Sequence, residues 1–197
     1  ATACADGPTL AIGGPWKEGD SVFNAYFILQ SGQIKSVAEK HHLPNDSVFD
    51  EVRIFNSGAI GGPYSVGNTR IGSPVCEDAW HEDVVETHVE TGAEFLLIPN
   101  GSPYHRGKRE TRLNIMVSRV VESGLPLIYL NMVGGQDDQV FDGGSFALNA
   151  DGSLALQMPM FTETITDIVL KRESDGWFVE EDYKATMPDQ QEADYHA

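Results

Sequence analysis

The stretch from Arg70 to Trp80 reads Arg-Ile-Gly-Ser-Pro-Val-Cys-Glu-Asp-Ala-Trp, and His81-Glu82-Asp83 then opens a helical pattern. An apolar, β-leaning run therefore ends in Cys76, which places a thiol at a strand-to-helix elbow. Such an elbow projects a sulfur from the carboxyl end of a strand, where helix amides lower its pKa and face a developing oxyanion. A lone cysteine is also commonly a small buried hydrophobe. The stretch by itself leaves both readings open.

A thiol gains meaning from its company. Lys40 stands at the far end of an expected strand, and Glu51 lies in Phe49-Asp50-Glu51-Val52-Arg53. Cysteine, lysine and carboxylate together suit acyl transfer from an amide: the thiolate attacks the carbonyl, the ammonium steadies the oxyanion, and the carboxylate moves protons. Taken singly, Lys40 also reads as a solvated strand-end lysine and Glu51 as the salt-bridge partner of a nearby arginine. A Cys76–His81 dyad is a further arrangement, without an evident orienting residue. His41, His42, His81 and His88 show no metal-site spacing, so no metal site is expected and these read as surface histidines.

The elements that must position these groups follow from periodicity and turn chemistry. Strands are expected over 9–14, 22–30 and 33–40, the last two joined by Ser31-Gly32. Residues 41–68 form a long ordered loop, the kind that frames a site. A strand over 69–76 then leads into a helix over 83–90, with Val84, Val85 and Val89 on its apolar face. Covered strands over 94–99 and 126–131 flank a helix over 108–122, whose buried face carries Leu113, Met116, Val117 and Val120. This alternation is an α/β unit on a largely parallel sheet. Beyond it come a glycine-led loop from Val133 to Asp138, a hairpin turning at Asp151-Gly152, and a last strand over 164–171. Residues 172–197 are charged and read as an acidic linker or wrapping arm.

The chain has 197 residues, with 30 acidic against 13 basic side chains and a net charge of −17. That balance repels nucleic acid and anionic membrane surfaces, so neither is an expected partner. Cys4 and Cys76 make no disulfide framework, and no stretch is long and apolar enough to span a bilayer. A cytoplasmic location is the expectation. The chain opens without an initiator Met and ends in what reads as a helix's first turn, as an internal piece of a longer chain would.

Several motifs occur in a family's order. They are Lys40-His41-His42-Leu43-Pro44-Asn45, Val48-Phe49-Asp50-Glu51 with Arg53, Cys76-Glu77-Asp78 with Trp80, and Pro99-Asn100-Gly101-Ser102-Pro103-Tyr104. They resemble the nitrilase (carbon-nitrogen hydrolase) superfamily. Gly134-Gly135-Gln136-Asp137 and Val140-Phe141-Asp142-Gly143 narrow the likeness to the glutaminase domains of bacterial glutamine-dependent NAD synthetases, over nearly the whole chain.

That resemblance implies a four-layer α-β-β-α sandwich lacking its first strands. It implies a partial hydrolase domain over 1–171 and a linker over 172–197 toward an absent synthetase domain. It makes Cys76 the nucleophile forming a γ-glutamyl thioester, Lys40 the cation at the oxyanion, and Glu51 the auxiliary glutamate beside the lysine. Glu77 and Ser102 fall at glutamine-contacting positions, and the Glu77 N–H helps form the oxyanion hole. Glutamine is the implied substrate, the chain's own synthetase domain and further copies are the implied partners, and no cofactor is implied here. ATP and Mg belong to the synthetase domain. Two departures concern the substrate pocket: Asp46 stands where relatives commonly carry an aromatic, and Ala79 is smaller than usual. A third concerns the reaction, because the family's general-base glutamate lies upstream of Thr9 and nothing there resembles it, so the chain alone is expected to be inactive. A stand-alone amidase and an inactive assembly module are the competing readings.

Overall fold

The computed structural model describes residue 2 and residues 5–45, 48–180 and 183–197. Two compact units divide the chain, Ala1–Ala93 and Glu94–Ala197.

In the first unit, β1 (Leu10–Glu18), β2 (Ser21–Gln30) and β3 (Gln33–Glu39) form an antiparallel sheet in that order. The expected stop at Gly13-Gly14-Pro15 does not occur. β1 pairs with β2 through Gly13↔Tyr26 and Pro15↔Asn24 to Glu18↔Ser21. An edge strand tolerates proline because one row of its amides needs no ladder partner. The β2–β3 turn is the expected Ser31-Gly32, at φ 50° and 72°. Positive φ at both central residues matches the twist of the flanking strands.

Two further strands, β4 (Tyr64–Val66) and β5 (Thr69–Gly72), pair as a hairpin inside and beyond the expected loop. β5 stops at Gly72 rather than reaching Cys76, since Pro74 has no N–H for a ladder. A tight 3₁₀ turn over Cys76–Trp80 precedes helix α1 (Glu82–Glu90). Thus the elbow turns through a 3₁₀ segment and not directly into an α-helix.

α1 buries Val84, Val85 and His88. His88 is therefore no surface histidine: it is 4% exposed, and among the described residues its Nδ1 has no partner. Burial lowers its pKa from 6.5 to about 4. A depressed pKa stabilises the fold above pH 6.5, and that stability is lost as pH falls toward 4, where the unfolded chain binds a proton the folded one refuses. The full window is worth about 3 kcal/mol. Urea unfolding at pH 7.5 and pH 4.5 should show this loss, and His88→Gln should flatten it. An unchanged slope in the variant would assign the pH dependence to other groups.

In the second unit, β6 (Phe95–Asn100), α2 (Lys108–Ser123) and β7 (Leu127–Asn131) form the expected βαβ unit, with β6 and β7 parallel. Met116 and Val120, one turn apart on α2, are fully buried, as are Leu96, Ile98, Leu127 and Tyr129 on the strands. Each such aliphatic side chain contributes about 1.5–3 kcal/mol. Gly124, at φ 66°, ends α2 as its cap. The glycine-led loop after Asn131 is itself a hairpin, β8 (Val133–Gln136) with β9 (Gln139–Asp142). β10 (Phe146–Leu148) and β11 (Leu154–Gln157) make the hairpin signalled by Asp151-Gly152.

The strand expected over 164–171 is confined to β12 (Leu170–Glu173), which pairs with β13 (Gly176–Val179). Residues 164–169 are β-branched except Asp167 but have no ladder among the described residues, and Ile165 is 99% exposed. The charged stretch read as a linker or arm carries β13, β14 (Tyr183–Lys184) and α3 (Gln190–His196), and it buries Val179 and Ala193. Within this unit the strands run β14-β11-β10-β7-β6. Among the described residues no helix is long and apolar enough to cross a membrane.

Candidate active site

β3 delivers Lys40 to the interior. The side chain is 1% exposed, and its Nζ lies 2.6 Å from Glu51 Oε1, whose side chain is 14% exposed. Lys40 is therefore not a solvated strand-end lysine. Glu51 is not an arginine partner either, because Arg53 pairs with Asp50. Glu51 opens a short 3₁₀ turn, and its other oxygen lies 3.5 Å from Asn24 Nδ2. A buried ammonium needs such a carboxylate, since removing two charges from water is tolerable only with close pairing.

The loop carrying Glu51 is stitched to the sheet. The Lys40 N–H donates to Asn24 O, the Gly58 N–H to Lys40 O, and the Asn56 N–H to Val22 O. The Gly58 carbonyl accepts from His41 Nδ1 at 2.7 Å. A Cβ at position 58 would sit 2.3 Å from Glu39 Cβ and 3.1 Å from its carbonyl carbon. Gly58→Ala must therefore push the strand end that bears Lys40. Overpacking of this kind costs about 1–3 kcal/mol, and urea denaturation should register it together with reduced turnover. Unchanged stability would mean that the Glu39 backbone yields freely.

Asp78 ties the lysine loop to the cysteine elbow. Its carboxylate accepts the N–H groups of His41 and His42 at 2.7–3.2 Å and that of Val75 at 3.3 Å. Asp78 is 2% exposed. Burial pushes its carboxyl above the usual carboxylate range, while the amides of His42, His41 and Val75 and the Lys40 charge pull it back. Sequence reasoning assigned Asp78 no role. Its signal was available, since a carboxylate two residues after a candidate nucleophile can reach back to the backbone of the elbow.

Cys76 is half-buried, directly after the buried run Ile71 to Val75, and holds φ 52°. Positive φ in a non-glycine residue costs on the order of 1–3 kcal/mol and persists only where the surroundings enforce it. The elbow is thus strained as well as anchored. Glu77 follows, its carboxylate 3.7 Å from His81 Nε2, and the His81 ring stacks on His42 at 3.8 Å between centroids.

Ser102 belongs to the second unit. Its N–H donates to Asn131 Oδ1 at 2.9 Å, and its hydroxyl accepts from Arg112 Nε at 3.1 Å. Arg112 is the residue the apolar-face reading of α2 missed. It shares the stripe of Met116 and Val120, pairs through both terminal nitrogens with Asp142 at 2.8 and 2.9 Å, and also donates to the Ser102 and Pro103 carbonyls. The structure thus pairs Lys40 with Glu51, and through Asp78 it ties the backbone after Lys40 to the backbone before Cys76 and Glu77, all within the first unit. Asp46 lies outside the described residues.

A half-buried thiol thus stands at a strained turn whose preceding backbone is tied by Asp78 to the residues that follow the buried Lys40. The chain belongs to the carbon-nitrogen hydrolase family, which matches residues 2–174. Within that family it is 49% identical over 192 residues to the glutamine-dependent NAD(+) synthetase of Rhodobacter capsulatus, a match covering 98% of this chain and 35% of the relative. It is 40% identical over 154 residues to the enzyme of that name from Xanthomonas campestris pv. campestris, covering 77% and 28%. The structure of glutamine-dependent NAD+ synthetase from Acinetobacter baumannii in complex with ADP superposes with a TM-score of 0.89 at 30% identity, covering 98% of this chain and 37% of that one. The nitrilase-like α/β fold implied by the motifs is the fold these neighbours share with it. The chain spans about a third of the length of these relatives.

Proposed function

We propose that these residues form the glutamine amidohydrolase part of a glutamine-dependent NAD synthetase. The observation carrying this reading is the buried Lys40–Glu51 pair joined through Asp78 to the Cys76 elbow. The Cys76 thiolate attacks the side-chain carbonyl carbon of glutamine, and the oxyanion forms against the Glu77 N–H and the Lys40 ammonium. The C–N bond then breaks. Ammonia leaves with a proton from the general base, and water cleaves the resulting γ-glutamyl thioester. Glu51 holds the Lys40 side chain in place, while Glu77, Ser102 and Asp46 serve glutamine recognition. Ammonia passes to the synthetase part of the longer protein, where ATP and Mg serve the amidation of deamido-NAD.

The reading takes the general base to be a group of the longer protein and expects the 197 residues alone to hydrolyse glutamine about 10²–10⁴-fold more slowly than the longer protein. Ammonia release from glutamine, asparagine and acetamide by the longer protein tests the assignment. At least 100-fold preference for glutamine is expected in kcat/KM. Equal rates across the panel would move the assignment to a stand-alone amidase.

A further inference from the structure

Beside the elbow, but outside the chemistry just described, three potential ligands converge. One donor atom each from His41, His42 and Asp83 lie within 4.8 Å of one another. The tautomer of His41 is already set: its Nδ1–H donates to the Gly58 carbonyl, so Nε2 keeps its lone pair. A backbone carbonyl behind an imidazole is a common orienting partner of a metal-binding histidine. His42 Nε2 faces both oxygens of Asp83 at 2.9 and 3.0 Å. The backbones of His41 and His42 are fixed by Asp78, so the two rings are presented from a rigid base.

We propose that His41 Nε2, His42 Nε2 and an Asp83 oxygen bind a divalent transition-metal ion of the zinc, nickel and copper group. Two imidazoles and one carboxylate suit those ions. Tetrahedral coordination at Zn–N distances of about 2.0–2.1 Å needs donors about 3.3 Å apart. Asp83, with a side chain 51% exposed, has the freedom to close that gap. On binding, His42 changes from the Nε2–H to the Nδ1–H tautomer and the ion takes the place of the shared proton. No sequence motif announces the site, because its ligands stand at positions 41, 42 and 83 and come together only when the loop after β3 meets the first turn of α1.

The test uses the full chain carrying Cys4→Ala and Cys76→Ala, which removes both thiols as competing ligands. Isothermal titration with Zn²⁺ should give one ion per chain at micromolar or tighter Kd. His41→Ala, His42→Ala and Asp83→Asn should each weaken binding at least tenfold, and His81→Ala should leave it within threefold. Cu²⁺ electron paramagnetic resonance supplies a readout free of folding artefacts, with hyperfine structure from two nitrogens expected in the parent. No saturable Zn²⁺ binding at 100 μM, undiminished binding in the His41→Ala/His42→Ala double variant, or fewer than two coupled nitrogens would each overturn the proposal.

Discussion

On the function proposed above, Cys76→Ala in the longer protein is expected to abolish glutamine-driven NAD synthesis and to leave ammonia-driven synthesis at the parental rate. Alanine removes the nucleophile and leaves the bonds of Asp78 to the elbow backbone in place. The expected fall in glutamine hydrolysis is on the order of 10⁴-fold or more, because alanine offers no atom for the covalent step. Paired assays with glutamine and with ammonium chloride read the two activities separately. Equal loss of both would make Cys76 a structural residue of the whole protein. Loss of neither would place the nucleophile elsewhere and leave this domain to assembly.

Lys40→Met carries the second large effect, and it divides into two parts. Losing the ammonium leaves the largely buried Glu51 carboxylate uncompensated, which costs about 3–5 kcal/mol in folding stability. On the proposed mechanism the ammonium is also a donor at the oxyanion, and its loss should cost about 10²–10³-fold in kcat. Adding Glu51→Leu separates the two parts. The double variant should recover most of the stability in urea unfolding, since replacing both members of a buried pair removes the stranded charge. It should recover none of the glutaminase activity. If activity returned with stability, Lys40 would be a packing residue and the oxyanion would need another cation.

Much of this arrangement is legible in one dimension. Turn chemistry announces Ser31-Gly32 and Asp151-Gly152, and the apolar runs at Phe95-Leu96-Leu97-Ile98 and Leu127-Ile128 announce covered strands. The thiol at a strand end and the family motifs single out Cys76 and Lys40. What escaped reading is what depends on distant partners. Arg112 lies on a helical stripe that pattern alone fills with apolar residues, and Asp142, thirty residues on, together with Ser102 and the Pro103 carbonyl makes its burial tolerable. His88 looks like any helix-surface histidine until α1 is packed. β1 outruns its Gly13-Gly14-Pro15 stop because register with β2 outweighs local propensity at an edge. Conversely, residues 164–169 have strand-like composition without a ladder among the described residues, and composition cannot supply one.

The positive φ at Cys76 has an evolutionary reading. Glycine adopts that backbone region without steric cost, whereas any residue with a Cβ strains there. Backbone strain therefore favours glycine at position 76 while the proposed chemistry favours cysteine, so the two pressures oppose each other at a single codon. A lineage that stopped using the reaction would lose that chemical pressure on the thiol. Glycine at this position, in a sequence that otherwise preserves the Asp78 clamp, would be the signature of a retired active site.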